Sequence, residues 1–147
     1  MKKLFFTLLL FIPLISIAQE SLLGKPRQEV VNSMKEANNS FVKLGMTKSK
    51  KTFTKLTWYD GFHCGNGADL ICFYNNSKDD TCRRVREVRD INMIDSVRRA
   101  LNTTAVQIKK DTWANKTGDI TIALTASKRY NFLALDYVPT SKRKDKL

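Results

Sequence analysis

The sequence predicts an α+β fold in which two helices pack on one face of an antiparallel sheet of about six strands, in the order α-β-β-β-α-β-β-β. Three observations carry that prediction. Short apolar/polar alternations recur between turn signals, as half-buried strands require. Two stretches instead repeat apolar residues at helical spacing. The whole pattern then occurs twice. Asp69-Leu70-Ile71-Cys72-Phe73-Tyr74-Asn75-Asn76-Ser77-Lys78 returns as Asp119-Ile120-Thr121-Ile122-Ala123-Leu124-Thr125-Ala126-Ser127-Lys128. At the same offset Cys82 matches Phe132, Val85 matches Leu135 and Val88 matches Val138. Upstream, Thr57-Trp58 matches Thr112-Trp113, and Val31 to Asn39 matches Ile94 to Asn102. A helix followed by strands, duplicated and diverged, accounts for all of these matches.

The first 18 residues stand apart from this domain. Lys2 and Lys3 form a charged start, Leu4 to Ile15 an apolar run, and Ser16-Ile17-Ala18 a small-x-small cleavage site. That pattern predicts a secretory signal peptide removed before Gln19, hence an exported protein, periplasmic or secreted. The apolar run is short for a membrane span, and no Cys follows the cleavage site to take a lipid anchor. Residues 19–25 read as an exposed lead-in, 26–139 as one domain of two repeats (about 26–88 and 92–139), and 140–147 as a basic flexible tail.

Taking the domain in order, Pro26 suits the first turn of a helix, where its missing N–H costs nothing. Val30, Met34, Ala37 and Phe41 then recur at helical spacing, so a helix is placed over 26–38, with an extension to Leu44 as the alternative. Gly45 to Lys51 is a basic connection. Phe53 to Tyr59 alternates as a strand, and Asp60 to Gly67 reads as a loop ending in the tight-turn pair Asn66-Gly67. Asp69–Asn75 and Thr81–Val88 form a hairpin around Asp79-Asp80. Asn92 is expected to cap the second helix, with Asp95 in capping-box position and Ile94, Val97 and Leu101 as its buried stripe. A strand runs from Val106 to about Trp113. Ile120, Ile122 and Leu124 alternate with Asp119, Thr121 and Ala123, the clearest strand in the chain. Leu133, Leu135 and Tyr137 face inward on the last strand, which Pro139 ends.

The chain has 147 residues and a formal net charge of +12, or +10 once Lys2 and Lys3 leave with the signal peptide. Such an excess favours anionic partners, and serves equally well as a solubilising surface. Three cysteines in an exported chain leave an odd one. Cys72 and Cys82 lie in the two arms of the first hairpin, and their repeat partners Ile122 and Phe132 are apolar. A cross-strand Cys72–Cys82 disulfide is therefore expected, with Cys64–Cys82 as the competing pairing.

Catalytic signals are poor. The single histidine, His63, adjoins Cys64, but neighbours in sequence seldom point at each other and no third orienting group is indicated. Asp60, His63 and Cys64 lack zinc-site spacing, and Asp79-Asp80 fits a turn better than a calcium loop. Neither a phosphate-binding glycine loop nor a nucleophile elbow occurs. No enzyme activity, metal or small-molecule cofactor is expected.

The duplicated helix-plus-strands organisation in a small exported chain resembles the β-lactamase-inhibitor protein family, and each half resembles the small envelope modules of the BamE type. The resemblance covers the mature chain in topology, without a shared motif, and the lipid-anchored Cys of BamE-type modules is missing. It implies a sheet that serves as a protein-binding surface, in a protein expected to be monomeric. Two modes of binding follow. In the first, a protein partner docks on the sheet face and on loops carrying Asp60, Phe62, His63, Asn115 and Lys116. In the second, Arg83, Arg84, Arg86, Arg89, Arg98 and Arg99 form a cluster for anionic envelope polymers or lipids such as lipopolysaccharide and phospholipid, in preference to nucleic acid, which an exported protein rarely meets.

Overall fold

The structure is a computed structural model, and it describes residues 19–37, 40–42, 46–48, 56–65, 67–74 and 81–140. It is α+β. Helix α1 (Arg27–Glu36) is followed by strands β1 (Ser40–Val42), β2 (Met46–Lys48), β3 (Leu56–His63), β4 (Asp69–Tyr74) and β5 (Cys82–Asp90). A 3-10 turn (Ile91–Met93) leads into helix α2 (Ile94–Thr104). Strands β6 (Val106–Lys109), β7 (Thr112–Ala114), β8 (Ile120–Ser127) and β9 (Phe132–Pro139) complete the order.

Among the described residues nine strands join one antiparallel sheet in the order β1-β3-β4-β5-β9-β8-β7-β6, with β2 also paired to β3. The two halves therefore meet through their last strands, β5 against β9. This count exceeds the expected six for two reasons. The short β1 and β2 precede β3, and the strand expected from Val106 to Trp113 is two strands. Asp111, at φ +53°, turns the chain between them, a left-handed conformation that Asp tolerates better than most residues.

The pairing register decides which side chains share a face. Asp60 lies opposite Cys72, Cys72 opposite Val85, Val85 opposite Tyr137, Tyr137 opposite Ile122, and Ile122 opposite Trp113. The next rung runs Phe62, Leu70, Glu87, Leu135, Leu124. Every one of these side chains is buried, so the two rungs define an inner face. Both helices cover it. Val30 and Met34 of α1 and Leu101 of α2 enter the same core, and Trp113 Nε1 donates to Asn102 Oδ1 of α2 at 2.8 Å. The repeat is visible in the burial: Cys72 and Ile122, Tyr74 and Leu124, and Val85 and Leu135 are buried pair by pair.

Residues 19–25 are not an exposed lead-in. Gln19 and Leu22 are buried, and the segment is stitched to the start of β5: Gly24 N–H donates to Cys82 O, and Cys82 N–H to Lys25 O, each at 2.8 Å. Pairing with β9 extends along β5 only as far as Val85, so the polar backbone at Cys82 takes its partners from this segment instead. The second helix also starts differently. Asp90, not Asn92, supplies the cap: its Oδ1 accepts the Asn92 N–H at 2.8 Å and closes the 3-10 turn ahead of α2. Residues 1–18, the hairpin turn at 75–80 and the tail from 141 lie outside the described residues.

Candidate functional site: the two faces of the sheet

The stretch expected to be a partner-binding loop is largely strand. β3 continues through Asp60, Phe62 and His63, and the inner-face register buries Asp60 and Phe62 completely. Neither is available to a partner. Asp60 instead receives a bidentate fork from Arg27 of α1, Nε to Oδ2 at 2.7 Å and Nη2 to Oδ1 at 2.6 Å. A carboxylate in an apolar core is tolerated only with such a partner. His63 is exposed at the end of β3, and its Nδ1 lies 2.7 Å from Asp69 Oδ1. Cys64 is packed against the core, where burial first, then the charges of Glu87 and Asp69, raises its thiol above the usual range. No hydrogen bond joins His63 to Cys64 among the described residues. On the opposite side of the fold, Asn115 serves the β7–β8 turn: its Oδ1 accepts the Ile120 N–H at 3.1 Å, while Lys116 is exposed.

Cys72 and Cys82 share the inner face but are not directly opposed. A register shift at Phe73/Tyr74 sets Cys82 against Tyr74 and Cys72 against Val85. All three cysteines are free, so the expected disulfide is not formed in this structure. The neighbouring Cys82 thiol, first, and burial raise the Cys72 thiol well above its ordinary value.

The six arginines do not form one surface. Side-chain alternation along β5 sends Arg84 and Arg86 to the outer face and Arg89 to the inner one. Arg83 is exposed at the start of the strand. Arg98 on α2 is held by Asp111, Nη2 to Oδ1 at 3.0 Å, and Arg99 is exposed nearby, its Nε donating to Asp95 O at 3.4 Å. Helix α2 lies over the inner face, so these last two are separated from Arg84 and Arg86 by the thickness of the sheet.

Alternation in the same strand places Glu87 on the inner face beside Val85, 1% exposed. Arg89 Nε donates to its Oε1, and Gln19 Nε2 donates to its Oε2 at 3.0 Å. Burial raises the Glu87 pKa, with the charge and hydrogen bond of Arg89 opposing. This pair sits at one wall of a cleft of about 130 Å³ between α2 and strands β5 and β9, whose other lining residues include Ser96, Val97, Leu101, Thr104, Leu135 and Tyr137. Among the described residues no group of three His, Cys, Asp or Glu side chains is placed to hold a metal ion.

The outer face has a different make-up. Tyr59 lies opposite Phe73, and Phe73 opposite Arg84. The rings of Tyr59 and Phe73 are 5.9 Å apart between centroids, and the Arg84 guanidinium carbon stands 3.8 Å from the Phe73 centroid. In the adjoining rung Ile71, Arg86, Asp136 and Ala123 are neighbours. Arg86 grips Asp136 with both Nε and Nη2, at 2.9 and 2.7 Å. Val88 and Val138 extend the apolar surface along the sheet. No described helix crosses it.

Sequence reading missed Asp60 and Glu87 as buried acids and Asp136 as the outer-face anion. A signal for Glu87 was present: in Arg84-Val85-Arg86-Glu87-Val88-Arg89 a strand period of two groups Glu87 with Val85 and Arg89. The density of arginines masks it.

Compared with family models, with curated proteins and with solved structures, the chain matches none.

Proposed function

We propose that this is an exported, non-enzymatic binding protein that docks a protein partner on the outer face of its sheet. The observation that carries the reading is the one-sided covering of the sheet. Both helices and the segment 19–25 close the inner face, while the outer face presents Tyr59, Ile71, Phe73, Val88 and Val138, all part-buried, among paired charges. An antiparallel sheet tolerates one solvated face, but a solvated face is ordinarily polar. Aromatic and arginine side chains with apolar neighbours are the composition that binding surfaces favour. The resemblance to β-lactamase-inhibitor proteins and BamE-type modules agrees in using a sheet for this purpose.

Export follows in this reading from the signal-peptide pattern of residues 1–18, and the partner belongs to the envelope or the surroundings. His63, at the end of β3, and Lys116 are exposed and remain available at the two ends of the sheet, whereas Asp60 and Phe62 drop out of the interface.

The test is affinity capture from the producing cells with the parent, with Phe73→Lys and with Arg99→Gln on the opposite side of the molecule. A partner held by the parent and by Arg99→Gln but lost by Phe73→Lys, at unchanged far-UV circular dichroism, supports the outer face. A partner retained by Phe73→Lys, or lost only by Arg99→Gln, contradicts it.

A further inference from the structure

We propose that Arg84, backed by Phe73, is a receptor for a carboxylate carried next to an apolar side chain, so that the partner is a protein segment with Asp or Glu beside an aromatic or branched residue. This rests on the outer-face reading above and specifies its chemistry.

The first argument is a charge count within one patch. Among the described residues Arg84 and Arg86 have a single carboxylate between them, Asp136. Arg86 takes both of its oxygens in a closed fork. Arg84 is left with a 3.8 Å approach of its Nε to Asp136 Oδ1, beyond hydrogen-bond distance. That Nε is buried and has no hydrogen-bond partner. A guanidinium presents five N–H donors and no acceptor, and a buried donor left unmade costs the protein its desolvation. The patch is therefore short of one negative, planar acceptor. Burial accordingly acts to lower the pKa of Arg84, with Asp136 opposing.

The second argument is preorganisation. The Phe73 ring, 3.8 Å from the guanidinium carbon, holds Arg84 in place. A ring beneath a guanidinium supports its face and leaves edge donors for an oxyanion. Arg84 keeps 38% of its side-chain surface exposed, so an incoming group meets the exposed part of the side chain while the Nε itself stays buried. Holding an arginine before the ligand arrives removes much of the entropy of fixing it afterwards.

The third argument selects the source of the carboxylate. Beside Arg84 stand the Phe73 and Tyr59 rings, with Ile71 in the next rung. An apolar group attached close to the carboxylate gains contact there. A lipid phosphate carries its apolar chains farther away and is best held by a broad basic surface. Here Arg89 and Arg98 are engaged by Glu87 and Asp111, and α2 lies behind the sheet, so among the described residues neither arginine adds to a basic surface on this side.

The experiment uses the purified protein and small probes, read from the Arg84 side-chain Nε–H resonance in ¹H–¹⁵N spectra. Phenylacetate should shift that resonance saturably and bind roughly 2- to 10-fold more tightly than acetate, the gain expected of an added aromatic contact. Arg84→Gln should abolish binding, and Arg84→Lys should weaken it. Equal affinity for acetate and phenylacetate, or phenylacetate binding that survives Arg84→Gln, would overturn the proposal. So would vesicles of phosphatidylglycerol shifting Arg84 when phenylacetate does not, which would point to a membrane. The two readings fail separately. If Phe73→Lys loses the captured partner but phenylacetate leaves Arg84 unmoved, the docking face stands without the carboxylate receptor. If phenylacetate binds at Arg84 but Phe73→Lys still captures the partner, the receptor stands and the docking face falls.

Discussion

On the inner face of the sheet each buried carboxylate has a guanidinium of its own. Asp60 is forked by Arg27, and Glu87 is held by Arg89 with Gln19 in support. On the outer face two guanidiniums divide one carboxylate, and one of them keeps an unpaired nitrogen. The inner arrangement is what a core demands, because a buried charge without a partner is strongly unfavourable. The outer arrangement is tolerated because Arg84 and Arg86 keep 38% and 37% of their side-chain surface exposed. The difference separates charges paired one to one in the core from two guanidiniums that share one carboxylate at the outer face.

Removing the cation from an inner pair should give the largest effect. Arg27→Met strands Asp60, which is fully buried, and should cost about 3–5 kcal/mol, the range for breaking a buried pair from one side. Urea unfolding of parent and variant measures it. A loss below about 1 kcal/mol, the ordinary worth of an exposed ion pair, would mean that the Arg27–Asp60 fork does no more than a surface contact.

A neutral change on each face of one strand sharpens the same contrast. Ile122 is 1% exposed on the inner face and Thr121 lies on the outer. Ile122→Ala should cost about 2–5 kcal/mol as a core cavity, and Thr121→Ala less than about 1 kcal/mol. Equal costs would show that the outer face is as tightly packed as the inner, and so not open.

These assignments also show where the sequence could be read and where it could not. The strand period of two was sufficient for β8 and β9, whose alternating apolar residues match the observed inner face. The helical stripe was sufficient for Val30, Met34 and Leu101. Reading failed where long-range pairing overrides local pattern. Asp60 looks like a loop residue because no local feature announces that Arg27, 33 positions earlier, will neutralise it. Residues 19–25 look like a lead-in because the unpaired end of β5 that captures them is distant in sequence. The arginine run hides two surfaces because charge counts ignore the alternation that sends Arg84 and Arg86 one way and Arg89 the other.

A smaller effect is expected from pH. Burial raises Glu87 above the ordinary 4.5 of a glutamic acid. Between that ordinary value and the raised one, the folded chain binds more protons at this site than the unfolded chain. Its contribution therefore favours folding below the window and is lost as pH rises through the folded value. Relative to Glu87→Gln, which does not titrate, the parent should lose stability as pH rises across that interval. The comparison is made by urea unfolding in steps from pH 4 upward. A parent that gains on the variant with rising pH would mean that Arg89 and Gln19 outweigh burial.

The smallest effect belongs to the outer face. Arg84→Gln removes a guanidinium whose Nε has no hydrogen-bond partner and whose nearest carboxylate is already forked by Arg86. Little holds Arg84 to the fold beyond its stacking on Phe73. The change should lie within about 0.5 kcal/mol of zero, as for surface substitutions away from special features, and relief of the buried donor opposes the lost cation–π contact. Asp136→Asn supplies the counterpart. It leaves two guanidiniums with no carboxylate and should destabilise more than Arg84→Gln does, as measured by midpoint in urea at equal slope. If Arg84→Gln proved the costlier of the two, Arg84 would be part of the fold's own electrostatics, and the outer face would have no charge left over for a partner.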